Sequence, residues 1–269
     1  MAEAEKTIFG GWEVAHEYGD RVHVLNNIHV LTLLARLGSK DARHPEIPAL
    51  VRTIYRAMMM AVSSYEFPRT EASIPTRMVD QHPEEGVYHG PIVDPATNVV
   101  IADIVRGGIV PSQTCFEMLA SVLPDANVRL DHLNMERRSD TEGRVVGVDL
   151  MGSKIGGSVA DAVLVLPDPM GATGSTTVRA VEHYLEHFGE PKHIVAMHMI
   201  ITPEYLRRVL DRFENIAIYA VRLDRGLSPP DVLATRPGTH WDRERGLNAR
   251  GYIVPGAGGM GEVLNNSWC

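Results

Sequence analysis

From residue 99 onward the chain repeats one pattern: a short apolar run, a polar break, then a stretch with helical periodicity. The apolar runs cover residues 99–105, 162–166, 194–201 and 216–221, and residues 128–133 read as a further strand. Near-continuous apolar runs of this length suit strands buried on both faces, as in a parallel sheet. Residues 111–123 and 175–188 read as helices, and Val178, Val181, Leu185 and Phe188 share one side of the second. Gly189 and Pro191 stop that helix. Thr202-Pro203-Glu204 supplies the cap, the proline and the early acid of another helix start. Residues 145–150 read as part of a hairpin or flap. Strands alternating with helices predict an α/β fold with a parallel sheet. Such sheets bind ligands beyond the carboxyl ends of their strands, where strand order reverses.

The first part of the chain has a different texture. Residues 22–37 read as a helix, with Val22, Leu25, Ile28, His29, Leu33 and Leu37 near helical spacing, and Pro48 opens a second helix that runs to about Ser64. Met58-Met59-Met60 in that helix reads as core or interface packing. No repeat or linker divides the 269 residues, which suit one large domain. Apolar residues make up 44% of the chain and charged residues 22%, enough for a core and against disorder away from the ends. The formal net charge of −8 disfavours nucleic acid or an anionic membrane as partner, although a few local arginines can hold a small anion. The first residues are acidic and lack the apolar stretch of a signal peptide, and no apolar run approaches a membrane span. With Cys115 and Cys269 as the two cysteines, a reducing, cytoplasmic location is expected.

The chemistry concentrates in one segment, Asp168-Pro169-Met170-Gly171-Ala172-Thr173-Gly174-Ser175-Thr176-Thr177, between a buried strand and a helix. Asp168 falls at the carboxyl end of the strand, where it can accept from ribose hydroxyls. Gly171 and Gly174 let backbone N–H groups come close to a ligand. The helix start at residues 175–177 offers free N–H donors and a partial positive charge, which suits a phosphate. The hydroxyls of Thr173, Ser175, Thr176 and Thr177 add donors. A phosphorylated ribose is the ligand this segment predicts. A Walker loop is ruled out by the absence of lysine after the second glycine. Gly256-Ala257-Gly258-Gly259-Met260-Gly261 matches the dinucleotide pattern G-x-G-x-x-G literally, but that pattern needs a helix, a second strand and an acid about 20 residues on. Eight residues follow Gly261.

Other polar residues read as structural. His193 and His198 lie five apart in one strand and so face opposite sides of the sheet, which argues against a shared metal. His183 and His187 share a helix face without a third ligand, and His82 and His89 read as surface or packing residues. Cys115 reads as a small core residue.

Taken in order, the segments resemble the uracil phosphoribosyltransferase family. The family loop runs close to D-P-M-L-A-T-G-G-S, and residues 168–176 match it with Gly171 for Leu and Ser175 for Gly. Val105-Arg106-Gly107-Gly108 resembles a strand-end L-R-A-G, Met135-Glu136-Arg137 resembles M-Y-R, and Ser64-Tyr65-Glu66-Phe67 resembles T-Y-E-A. Residues 251–262 resemble the closing G-Y-I-[IV]-P-G-L-G-D-A-G-D. The resemblance implies transfer of phosphoribose from phosphoribosyl pyrophosphate (PRPP) to uracil, giving UMP and pyrophosphate in pyrimidine salvage. Mg²⁺ would arrive with PRPP, with no direct protein ligand. It implies a type I phosphoribosyltransferase fold: a parallel sheet core flanked by helices, a small hood and N-terminal helices. On this reading the N-terminal helical part is 20–65, the core 90–225, an insertion 228–245 and the base-binding hood segment 246–265. A homodimer or higher oligomer is expected, with small-molecule partners only.

Catalysis of this transfer is mostly positioning and charge stabilisation, with no covalent nucleophile. Arg106 and Arg137 are the candidates for the pyrophosphate, because guanidinium grips oxygens bidentately, with Arg138 a rival to Arg137. Asp168 completes the catalytic set. The phosphate and ribose candidates are Asp168, Pro169, Met170, Gly171, Ala172, Thr173, Gly174, Ser175 and Thr176. Lys154 falls in the flap region. The base site would use backbone groups of Ile253, Gly258, Gly259 and Met260. Gly259 and Met260 stand where the family has Asp and Ala, Glu262 stands for the second Asp, and the insertion precedes the hood. These departures keep two alternatives open: the same transfer to a different base, or a catalytically inactive regulator that binds PRPP or a nucleotide.

Overall fold

Apolar runs buried on both faces build the centre of the sheet. A computed structural model describes residues 13–139 and 145–268. Among them, eight strands form one sheet: β1 (Val22–Val24), β4 (Asn98–Val105), β5 (Val128–Ser139), β6 (Val145–Lys154), β7 (Ala162–Pro167), β8 (Met170–Gly171), β9 (His193–Ile201) and β10 (Ile216–Leu223). The order is β1-β10-β9-β7-β4-β5-β6, with β8 pairing β9. Pairings are parallel except β5 with β6, which form an antiparallel hairpin as expected for the flap region. A separate antiparallel ribbon is made by β2 (Arg69–Pro75) and β3 (Val87–Val93).

Helices cover both faces. Val99 and Ile101 of β4 join a core layer with α1 (Ile28–Leu37), α2 (Glu46–Glu66) and α3 (Ile109–Leu119). Val100, Ala102 and Ile104 face the opposite layer, built with α4 (Ser175–His187) and α5 (Pro203–Arg212). Burial on both faces is why these strands read as unbroken apolar runs. Two short helices, α6 (Pro230–Leu233) and α7 (Met260–Asn265), complete the set. Among the described residues no helix is long and apolar enough to cross a membrane.

The single helix expected over residues 22–37 is in fact a strand and a helix. Val22 and Val24 are buried with His23 between them, a period of two, and the strand pairs β10 with Val22 opposite Ile218. The Asn27 side chain then accepts from the N–H groups of His29 and Val30, so helix begins only at Ile28. In α2, which starts two residues before Pro48, that proline still falls within the first turn, where its missing N–H costs nothing. Met58 and Met59 are buried while Met60 is exposed, since three consecutive helical residues cannot share a face.

The topology fixes where a ligand can enter. After β4 the chain moves outward to β5 on one side; after β7 it moves through α4 to β9 on the other. The order therefore reverses between the neighbours β4 and β7. Arg106 and Asp168 follow their carboxyl ends, at the place where open α/β sheets hold ligands.

Candidate functional site

The loop after β7 is pinned from beneath by β9 and α5. The Asp168 N–H donates to the Met197 carbonyl at 3.0 Å, and the Met199 N–H donates to the Pro169 carbonyl at 3.0 Å. His198 Nδ1 lies 2.6 Å from the Asp168 carbonyl oxygen, and Nε2 lies 2.6 Å from the Tyr205 hydroxyl. A carbonyl can only accept, so Nδ1 carries the proton and Nε2 of the neutral ring accepts from Tyr205. Burial pushes the His198 pKa down to about 4, opposed by the bond to Asp168. The ring therefore stays neutral at physiological pH. The Tyr205 oxygen also lies 3.3 Å from Thr177 Oγ1. The Thr202 hydroxyl donates to the Ala172 carbonyl at 2.7 Å.

Above this support lies a small cleft lined by Asp168, Met170, Ala172, Thr173, Gly174, Thr176 and Gly251. Gly174 has a φ of +79°, a left-handed turn that turns the chain into α4 at Ser175. The loop expected to hold a phosphate thus comes together as one turn whose last members begin a helix.

Gly107 faces the loop from the end of β4, and Arg106 beside it reaches the C-terminal segment. A side chain at Gly107 would meet Asp168 Oδ1 at 3.5 Å, and Gly261 N at 3.9 Å. Three segments distant in sequence therefore converge: residues 106–107, Asp168 and the C-terminal turn. The Val105–Arg106 peptide bond is cis. Arg106 Nη1 lies 3.3 Å from the Ser267 carbonyl and 3.2 Å from its hydroxyl, and Nη2 lies 3.7 Å from Glu262 Oε1. Arg137 lies in β5 opposite Val148, and its side chain falls outside the described residues. Arg138, its rival, faces Asp149 at 4.0 Å. Lys154 pairs with His132, whereas the last residue of β4 pairs with Asn134. It is thus at the root of the hairpin, below the strand ends.

The base segment is held by α1, β10 and its own glycines. Asp224, buried beyond β10, accepts from the Gly256 N–H at 2.7 Å, while Arg222 donates to the Gly256 carbonyl at 3.0 Å. The Ile253 and Met260 side chains are buried, so their backbone groups are what the segment can offer. A Cβ at Gly259 would meet the Glu262 carboxylate, so a side chain there requires Glu262 to move. Glu262 thus occupies the space that an acid at 259 would need.

The insertion packs on the start of α5 and on the N-terminal segment. Trp241 Nε1 donates to the Pro203 carbonyl at 3.1 Å, and Glu244 is fully buried with Arg225 at 2.8 Å, the Gly238 N–H at 2.9 Å and the Tyr18 hydroxyl. His193 and His198 do face opposite sides, His193 toward Glu66 and Asn215 and His198 toward Tyr205. Cys115 is buried in the core, where burial raises its thiol pKa. His198, Tyr205 and Asp224 escaped the sequence reading as supports of the site. The one available signal was a histidine inside an otherwise apolar strand.

The family model for uracil phosphoribosyltransferase matches residues 24–244. A uracil phosphoribosyltransferase of Pyrobaculum islandicum is 26% identical over 242 residues, covering 90% of this chain and 97% of its own. Its counterpart in Pyrobaculum arsenaticum is 27% identical over the same span and coverage. A solved structure from Aquifex aeolicus superposes with a TM-score of 0.68 at 20% identity, covering 90% of this chain and 97% of its own.

Proposed function

This chain belongs to the uracil phosphoribosyltransferase family and has the type I phosphoribosyltransferase fold, and from that premise we propose that it transfers phosphoribose from PRPP to uracil. Family membership makes phosphoribosyl transfer the chemistry; uracil as the acceptor is our own reading. The observation that carries it is the convergence of Arg106, Asp168 and the C-terminal turn at the strand reversal, beside the helix start at Ser175.

The 5′-phosphate takes the N–H groups and hydroxyls of residues 173–177, where the helix dipole favours a dianion. Asp168 accepts from the ribose hydroxyls, its backbone fixed by Met197 and His198. Departure of pyrophosphate leaves positive charge on the ribose ring, which a carboxylate at Asp168 would stabilise. Arg106 and Arg137 grip the pyrophosphate; Arg106 leaves Ser267 and Glu262 to do so, exchanging one set of acceptors for another. Mg²⁺ enters as part of the substrate, on the phosphate oxygens. Asp168 would take the ribose hydroxyls beside the ion rather than the ion itself. When bound, the ion neutralises charge on the leaving group.

The pyrimidine edge alternates acceptors and donors, which the backbone of residues 253–260 can match. A different base is the second reading, favoured by the Glu262 carboxylate in the space beside Gly259. Pyrophosphate release, measured with PRPP, Mg²⁺ and a panel of bases, separates the two. Release with uracil supports the first reading and release with another base alone the second. Absence of PRPP binding by calorimetry sinks both. We also place the protein in the cytoplasm as a homodimer. The exposed Met60, Ile74 and Tyr88 side chains offer apolar surface for self-association, which analytical ultracentrifugation checks.

A further inference from the structure

α5 carries Arg207, Arg208 and Arg212 beside an open groove next to α4. Two of these guanidinium groups are occupied with the protein itself: Arg207 donates to the Trp241 carbonyl, and Arg212 Nε pairs with Glu182 at 2.8 Å. Arg208 instead reaches the phosphate loop. Its Cβ and Cδ would lie 3.3 and 3.4 Å from a Cβ built at Gly174, so its stem crosses that glycine, and Nη1 donates to Ser175 Oγ.

The hydroxyl inventory gives this contact a direction. The Ser175 N–H donates to Thr173 Oγ1 at 3.4 Å, and the Thr173 hydroxyl donates to Ser175 Oγ at 3.1 Å. With Arg208 as a second donor, both acceptor positions of Ser175 Oγ are filled, which leaves its O–H to donate outward. Arg208 keeps further N–H donors of its own in a planar fork suited to phosphate oxygens.

We propose that Arg208 is a phosphate-binding residue: it orients the Ser175 hydroxyl and donates to the 5′-phosphate of the ribose substrate. The inference rests on the placement of that phosphate at residues 173–177. It adds a full positive charge, from a second helix, to a cradle otherwise made of amides and hydroxyls. It also gives a role to Ser175, which stands where the family pattern has glycine and so no hydroxyl. The contact selects for ligands that carry a 5′-phosphate and is indifferent to pyrophosphate.

The test uses the full-length protein, with PRPP, ribose 5-phosphate and pyrophosphate as probes. Arg208→Gln should raise KM for PRPP and weaken inhibition by ribose 5-phosphate by about tenfold each (~1.4 kcal/mol). It should leave kcat within about twofold and inhibition by pyrophosphate unchanged, because the contact precedes the chemical step. Arg208→Lys, which keeps the charge and the stem over Gly174, should recover part of the loss. Arg212→Gln should change neither constant. Unchanged KM for PRPP in Arg208→Gln overturns the proposal. So do equal losses for ribose 5-phosphate and pyrophosphate, which mark general damage to the site. If Arg208→Gln does not fold, an Arg208→Lys protein must lose at least threefold in ribose 5-phosphate inhibition, as a flexible ammonium replaces the fork; otherwise the proposal fails. A wild-type protein that does not bind PRPP at all instead refutes the placement of the phosphate.

Discussion

Replacing Gly171 with the leucine of the family pattern should damage this protein, and the structure says by how much. Gly171 is in β8, opposite Ile201, with a φ outside the left-handed region. Backbone strain is therefore no part of the cost. An added Cβ would lie 2.9 Å from Ile201 Cγ2, 3.1 Å from Tyr205 Cδ2 and 3.2 Å from His198 Cδ2. All three neighbours are fully buried, so none can swing into solvent. Overpacking of this kind costs roughly 1–3 kcal/mol. Shifting Tyr205 to make room would also break its bond to His198 and leave a buried acceptor unmet, another ~1–3 kcal/mol. A total of about 2–6 kcal/mol lowers Tm by roughly 10 °C for a domain of this size. Affinity for PRPP should fall as well, since His198 holds the Asp168 carbonyl. Differential scanning calorimetry with and without PRPP measures both effects. Adding Tyr205→Ala to Gly171→Leu should cost less than the sum of the two single changes, because it opens the space that leucine needs. A Gly171→Leu protein that melts within about 2 °C of wild type, or strict additivity in the double variant, refutes the packing argument.

Three further outcomes are expected. His198 is neutral in the fold and its pKa is lowered to about 4, so the unfolded chain takes up a proton first as pH falls. The stability it contributes is full above about pH 6.5 and is lost from there down to about pH 4, ~3 kcal/mol in all, and His198→Gln should flatten denaturation midpoints over that window. Glu244→Gln removes the charge partner of the half-buried Arg225 and should cost about 3–5 kcal/mol in urea unfolding, with KM for PRPP unchanged in the folded protein. Gly259→Asp should force Glu262 out of its place near Arg106 and lower kcat/KM for uracil about tenfold, with Glu262→Ala in the same chain restoring part of it. An unchanged kcat/KM would show that Glu262 does not fill that space.

The sheet was legible because burial on both faces leaves long apolar runs, and four of its strands carry them. The hairpin strand β6 and the edge strand β1 were harder. Val22 and Val24 show a period of two for only three residues, and the helical spacing that follows from Ile28 absorbs them. The phosphate loop was legible for a different reason: its chemistry is local, with strand end, glycines, hydroxyls and helix start contiguous. What holds the phosphate loop and the base segment is not local. Asp224 reaches Gly256 across 32 positions, and His198 reaches Asp168 across 30. No periodicity in either segment announces such a partner, because the relation exists only once β7, β9 and β10 lie side by side. Gly259 stands where the family has an acid, yet Glu262, in the first turn of α7, brings a carboxylate to the same space, a compensation visible only in three dimensions.

The two departures of the loop from the family pattern have a common physical cause. Gly171 and Ser175 look unrelated in sequence, one a loss of bulk and the other a gain of a hydroxyl. In the fold both face α5. The volume that leucine would fill at 171 is taken by Tyr205, which uses that position to reach His198 and so the Asp168 carbonyl. The hydroxyl gained at 175 meets Arg208, almost one turn further along the same helix. A helix places residues three apart on one side, so Tyr205 and Arg208 can act on the loop together. α5 thus serves as a buttress for the phosphate loop, through one buried aromatic and one exposed cation. It follows that changes at 171 and 205, and at 175 and 208, should couple within each pair and be nearly additive between pairs. A double-mutant cycle showing Gly171 coupled to Arg208 as strongly as to Tyr205 would contradict this division.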